Sequence, residues 1–287
     1  FEKIKIAIIG GGYTGISCAI ELLKHNFKVT LIESHSNLGG LGGTVKLSSG
    51  AFCEAYYHHF FTHDKYLIEY CNEYLGENPE FNPTKMAIYS DNRFYSWNGI
   101  NDLIKTKLIN SFSKFRFIIA TLFIIKGILR NSFLDKQSLS EGMYKLYGKN
   151  SFNKIWEPLL KAKFGRYLEN IPLRWMKGRL SQRVNSRRKG KELLGFLPGS
   201  IQKLTNKLIN NIDINPNGEI RLNKKLKKIE KGNLRKSSLE LYDLKTNEKV
   251  KEEYDLVVFT TPSYVANKIM SISNMGEIKW EENEYYI

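Results

Sequence analysis

Two apolar, β-branched segments near the start of the chain are separated by a glycine turn and a short helical repeat, and few folds accommodate that order. Residues 3–9 (KIKIAII) have the composition of a buried parallel strand. Gly10-Gly11-Gly12-Tyr13-Thr14-Gly15 breaks the run. Residues 14–25 then place Ile16, Ala19, Ile20 and Leu23 at helical spacing, and residues 27–32 (FKVTLI) form a second strand ending at Glu33. Strand, turn, helix and strand within about thirty residues predict a right-handed βαβ unit.

The glycines fit G-x-G-x-x-G. Gly10 permits the tight turn, Gly12 lets the backbone approach a pyrophosphate, and Gly15 lets helix and strand pack closely. The amides opening the helix then face phosphate, aided by the helix dipole. Glu33 sits where a carboxylate accepts hydrogen bonds from ribose hydroxyls, which also argues against a 2′-phosphate. The competing reading is a glycine-rich turn in an ordinary α/β protein; the position after a strand, before a helix and upstream of Glu33 favours a dinucleotide.

Bulk properties narrow the class. The 287 residues include 16 Phe, 16 Tyr and 4 Trp, enough for one large core or two ordinary ones. Cys18, Cys53 and Cys71 have no metal-ligand or redox spacing and suit a reducing compartment. No secretory leader is expected ahead of the first strand. The net charge is +15, and residues 187–251 carry 17 Lys/Arg against 7 Asp/Glu. That region reads as a solvated basic surface, with an anionic membrane face as the competing partner. No zinc-finger or RNA-binding signature accompanies it, so no nucleic-acid partner is expected.

Residues 34–50, rich in Gly and Ser, read as a loop held close to something. Helical patterning covers 63–75, 100–130, 138–148, 151–163 and 172–187, with a hairpin around Asp91-Asn92. The α/β pattern returns after Gly195: a helix over 200–211, strands near 219–222, 226–230 and 238–243, and the apolar strand 255–260.

Leu38-Gly39-Gly40-Leu41-Gly42-Gly43-Thr44 resembles the second glycine signature of the flavin-containing amine oxidase superfamily, which includes protoporphyrinogen oxidases and the phytoene and carotenoid desaturases. Further similar segments are Glu54-Ala55-Tyr56-Tyr57-His58-His59-Phe60-Phe61, the Trp156-Glu157-Pro158-Leu159-Leu160 and Lys163-Phe164-Gly165 run, Leu194–Ser200, and 255–262 (DLVVFTTP). Together they span residues 4 to about 265. The resemblance implies an α/β fold: a GR2-type Rossmann FAD-binding domain from residues 1–62 and 190–270, with a mostly helical substrate domain, 63–189, inserted and continuing from 271–287. It implies FAD as cofactor, held by Gly10, Gly12, Tyr13, Thr14, Gly15, Glu33, Gly40, Leu41 and Thr44. It also places His58 or His59 near the flavin ring and the backbone of Leu226 against the adenine.

Some positions depart from the family pattern. His35 and Leu41 stand where relatives carry arginines, so backbone amides are expected to carry more of the phosphate recognition; Ser200 replaces a common glycine. No Gly-Asp pair, the family's late pyrophosphate motif, occurs in the sequence. The resemblance therefore implies a chain truncated at its C-terminus by roughly a third of the usual length.

No metal site is expected from His58, His59 and His63, because adjacent residues on a strand point opposite ways. No catalytic side chain is assigned, since in such flavoenzymes the isoalloxazine takes the hydride. The expected function is removal of a hydride from a small, apolar or cyclic substrate. The alternatives are a flavin-dependent sugar-nucleotide mutase, for which Arg166, Arg174 and Arg179 are the available pyrophosphate grips, and a non-catalytic dinucleotide-binding remnant. Residues 112–130 (FSKFRFIIATLFIIKGILR) are too briefly apolar to span a bilayer. They read either as a helix over the substrate pocket or as a peripheral contact on a membrane's inner face, in an otherwise cytoplasmic protein.

Overall fold

The computed structural model describes residues 3–56, 59–232 and 236–276. Among these the chain forms two compact units. One gathers the described parts of Phe1–His59, Tyr66–Glu80 and Phe196–Lys279; the other gathers Phe60–Lys65 and Phe81–Gly195.

The first unit is built on a parallel sheet. Strand β1 (Lys5–Ile9), helix α1 (Tyr13–Lys24) and strand β2 (Lys28–Ile32) are the expected βαβ unit. The four-stranded order is Gly218–Arg221, β2, β1, Leu256–Phe259, all parallel. Ile9 pairs with both Ile32 and Phe259, so the two outer connections end at the same edge as the glycine turn. In α1, Gly15, Ile16, Ala19, Ile20 and Leu23 are buried, the periodic face read from sequence. The helix Gln202–Asp213 buries Leu204, Leu208 and Ile212, four residues apart.

An antiparallel sheet of Lys224–Lys231, Ser237–Asp243 and Lys249–Tyr254 completes this unit. Leu226 and Ile229 are both buried although three residues apart, because the register shifts at a bulge between Leu226 and Lys228. The basic composition of this region is laid out as ion pairs, with Glu230 between Lys251 (2.6 Å) and Lys228 (2.9 Å) and Lys249 beside Glu240 (3.0 Å).

Helix Lys65–Leu75 clusters with the sheet-bearing unit rather than with the helices that follow it. Tyr70 donates to Glu21 (2.9 Å), Lys24 pairs with Glu73 (3.2 Å), and Cys71 is buried.

The second unit is mostly helical. The stretch expected as one helix over 100–130 divides into Ile100–Lys105 and Ser111–Ile125, because Asn110 caps the second by accepting from the Ser113 amide (2.8 Å). After the short helix Asn131–Lys136, Ser138 and Glu141 start helix Leu139–Ser151, with the serine accepting the Glu141 amide (3.2 Å). A π-turn, Phe152–Trp156, precedes helix Glu157–Phe164, where Pro158 at the first turn lacks the amide a continuous α-helix would need. Helix Arg174–Asn185 follows. The core of this unit centres on Phe117, Ile124, Leu134, Leu139, Met143 and Tyr147. Strand Lys191–Phe196 pairs antiparallel with Phe60–Phe61.

Candidate dinucleotide site

Where β1 meets α1, two glycine loops lie directly on each other. Gly10 has φ +114°, which opens the turn, and Gly10 N–H donates to Ile32 O at 2.9 Å. A side chain at Gly15 would collide with the Gly10 carbonyl and stand 2.9 Å from Thr260 Oγ1, so α1 can sit on the strand ends only with glycine there. The second loop docks through a parallel bridge between Gly12 and Gly39, with Gly39 N–H donating to Gly11 O at 2.8 Å. A Cβ on Gly40 would lie 3.0 Å from Gly12 Cα, a backbone-to-backbone approach.

Gly12 is different. It is the N-cap of α1, in extended backbone (φ −73°), and a Cβ there would meet nothing nearer than Gly40 Cα at 4.0 Å. Among the described residues, no side chain caps α1 and its first turn holds no acidic residue. The amides that open a helix have no intrahelical partner. Space beside Gly12 and a helix start that no side chain caps form a cradle for an anion.

Glu33 closes β2 beside this cradle. Its carboxylate accepts from the Gly11 amide (2.6 Å), the His35 amide (2.8 Å) and the Ser34 hydroxyl (3.0 Å). The charge is therefore fixed at the glycine turn and half-buried, and an ionised carboxylate keeps acceptor capacity beyond three bonds. The Glu33 amide donates to Arg221 O and the Lys224 amide to Glu33 O, each at 2.9 Å, so the segment leading to Leu226 is tied to the carboxylate-bearing residue. Leu226 is 5% exposed, with its side chain in the core of the unit.

The side chains of Tyr13 and Thr44, both expected at the cofactor, also brace the loops that carry them. The Tyr13 ring fills the space over Gly42, and its hydroxyl shares a 2.7 Å hydrogen bond with Thr205. Burial pushes that phenol up to about 12. Thr44 donates to Gln202, and Glu54 caps helix Gln202–Asp213 by accepting the Ile201 amide at 3.1 Å. Leu41 is 71% exposed. His58 lies outside the described residues; His59 is half-buried and His63 stacks on Phe61 at 5.4 Å. Sequence reasoning missed Thr261, whose methyl lies next to Gly10 and whose hydroxyl oxygen is buried without a hydrogen-bond partner among the described residues. The TTP turn after the last apolar strand was the available signal.

The residues present fit a dinucleotide: space at Gly12 that a Cβ would fill, an uncapped helix start, an orphaned hydroxyl and a fixed carboxylate at one sheet edge.

The helical unit holds a cavity of about 870 Å³. Phe117, Ile118, Thr121, Leu122 and Ile125 from helix Ser111–Ile125 line it, while Phe112 and Phe115 of the same helix are exposed. No helix among the described residues is long and apolar enough to cross a membrane. Of the three arginines put forward for a pyrophosphate grip, Arg174 is bound to Asp135 and Arg166 donates to Tyr167, while Arg179 lines the cavity.

Fold and site together define a Rossmann-type dinucleotide-binding protein of the kind with two glycine loops. The sequence profile of the flavin-containing amine oxidoreductases matches residues 13–282, and the chain belongs to that family. FAD is the cofactor that goes with this membership. Among solved structures, cyclohexylamine oxidase from Brevibacterium oxydans IH-35A superposes with a TM-score of 0.71 at 15% identity, over 93% of this chain and 60% of that one. Carotenoid phi-ring synthase of Chlorobaculum tepidum is 56% identical over 36 residues, 12% of this chain and 6% of that protein. Zeta-carotene desaturase of Zea mays is 42% identical over 59 residues, 21% of this chain and 10% of that protein. The chain covers less than two thirds of the length of these proteins.

Proposed function

We propose that the chain binds FAD across its paired glycine loops and serves an oxidoreductase that removes a hydride from an apolar or cyclic substrate. The observation that carries this reading is Gly12, a glycine for which the fold itself gives no reason: its backbone is ordinary and its side-chain direction open. The amides of Gly12, Tyr13, Thr14 and Gly15 would receive the pyrophosphate, with the backbone of Gly40 and Leu41 alongside. Glu33 would hold the adenosine ribose, the backbone of Leu226 the adenine, and Thr261 would supply a further hydroxyl. Bound flavin supplies the hydride acceptor. The protein's part is to fix the phosphates without arginines, through backbone donors that cost little reorganisation.

The cavity of the helical unit is the proposed substrate site, because its volume suits a small molecule and its walls are mostly apolar and aromatic. We place the protein in the cytoplasm, with peripheral membrane contact through exposed Phe112 and Phe115 of helix Ser111–Ile125. The test of the cofactor reading is purification followed by desalting with added FAD. A retained visible flavin spectrum supports it; a colourless chain favours the non-catalytic remnant. Sedimentation with anionic vesicles, lost in a Phe112→Ser/Phe115→Ser variant, checks the membrane contact.

A further inference from the structure

The cavity wall carries a charge pattern that the family name does not anticipate. Its aromatic part, Trp97, Phe117, Trp156 and Trp175, is set by ring packing: Phe117 stacks on Trp156 (5.6 Å, 13°) and meets Trp97 edge-on (5.6 Å). The charged lining residues are Lys85, Lys163, Arg179, Arg183 and Arg187 against one carboxylate, Glu192. Arg179 and Arg183 are one turn apart on helix Arg174–Asn185, and Arg187 lies just beyond its end.

Glu192 is 4% exposed; its Oε2 accepts from Arg183 at 3.2 Å, which balances that pair in charge, while its Oε1 is buried without a hydrogen-bond partner among the described residues. Arg187 is held by the carbonyls of Asn98 (2.9 Å) and Gly190 (3.2 Å), which position the guanidinium without neutralising it. Lys163 sits 5.7 Å from the centroid of Trp175. The cavity lining thus carries more basic than acidic side chains, with the Arg187 guanidinium held in place by carbonyls alone. In a partly desolvated site that field strengthens attraction to anions and repels cations.

We infer that this cavity takes an amphipathic anion, an apolar body headed by a carboxylate or phosphate, and not an amine. As the substrate class of the proposed oxidation, the inference rests on the flavin reading; as a binding site it stands without it. Arginine at this place matches the planar, bidentate recognition of either head group.

The experiment is calorimetric titration of the full chain with ligands of one tail and different heads: dodecanoate, dodecyl phosphate, dodecanol and dodecylamine, with UDP-galactose alongside. The flavin spectrum is recorded on the same sample. One of the two anions is expected to bind at least tenfold more tightly than the alcohol and the amine, and which one does so identifies the head group. An Arg179→Gln/Arg187→Gln variant is expected to lose that preference and keep its affinity for dodecanol. Should that variant not fold, the exposed Lys163→Gln, expected to reduce the preference, carries the same test. Equal affinity for all heads, tightest binding of dodecylamine through Glu192, binding of UDP-galactose alone, or no binding of any ligand each overturns the inference. A colourless chain with the anion preference sinks the flavin reading alone; a flavin-bearing chain without the preference sinks this inference alone.

Discussion

Gly12 and Gly15 belong to one motif, and the structure separates them by what each must do. At Gly15 an added methyl would fall on the Gly10 carbonyl and within 2.9 Å of Thr260 Oγ1, so Gly15→Ala must push α1 off the strand ends. Overpacking of that kind costs roughly 1–3 kcal/mol of stability, and backbone rather than a flexible side chain is what must move. At Gly12 the added methyl has 4.0 Å of clearance and the backbone is already extended. Gly12→Ala should therefore leave stability unchanged or raise it by up to about 1 kcal/mol, through the lower entropy of the unfolded chain. Its cost should appear in ligand binding. If the pyrophosphate packs against Gly12 as closely as the proposal requires, the methyl imposes roughly 1–3 kcal/mol of overpacking in the complex, on the order of 5- to 150-fold in Kd. Thermal melts of the free chains, with FAD titrations followed by flavin fluorescence, read the two effects separately. A Gly12→Ala protein that melts early like Gly15→Ala, or binds FAD as the parent does, would refute the reasoning.

Three further outcomes follow from the same geometry. Glu33→Gln should weaken FAD binding by about 1–3 kcal/mol, the scale of a charge-assisted hydrogen-bond set, with a smaller loss of melting temperature from the Gly11 and His35 amides; unchanged titration curves would mean the ribose lies elsewhere. Tyr13→Phe removes the bond to Thr205 and should cost about 1 kcal/mol in denaturant unfolding, whereas an unaltered midpoint would deny the strut role. Glu230, beside Lys251 and Lys228, and Asp243, beside Lys224, are both held down to about 2. Carboxylates depressed on folding contribute stability above their ordinary range, so it should decline as pH falls from about 4.5 towards 2. A Glu230→Gln/Asp243→Asn variant should show a shallower acid decline, and a parallel one would count against these pairs.

The parallel βαβ unit was legible because its signals are local: apolar runs, a glycine turn and a periodic helix face within one stretch of chain. Glu33 was legible for the same reason. Strand Lys249–Tyr254 (KVKEEY) was not, because cross-strand ion pairs such as Lys251–Glu230 mark it rather than apolar alternation. The spacing of Leu226 and Ile229 hid a bulge, which only pairing with Leu241 and Leu239 reveals. The bracing bond of the Tyr13 hydroxyl was not legible, because its partner Thr205 is 192 residues away in sequence. Helix Lys65–Leu75 joined the sheet unit through contacts of Tyr70 and Glu73 with α1, which no periodicity announces. The cavity arginines offered a partial signal, the four-residue spacing of Arg179, Arg183 and Arg187; their convergence with Glu192 needed the chain to be folded.

The central claim is that the start of α1 and Glu33 together hold a diphosphate and the ribose attached to it. ADP carries those groups with the adenine and lacks the flavin half of the cofactor, so its calorimetric titration, run beside 2′-phospho-ADP, tests the claim most directly. The account predicts saturable binding of one ADP per chain, weakened by Gly12→Ala and by Glu33→Gln, with 2′-phospho-ADP rejected by the carboxylate beside its 2′-phosphate. Absence of ADP binding, or equal binding of the two nucleotides, would contradict it.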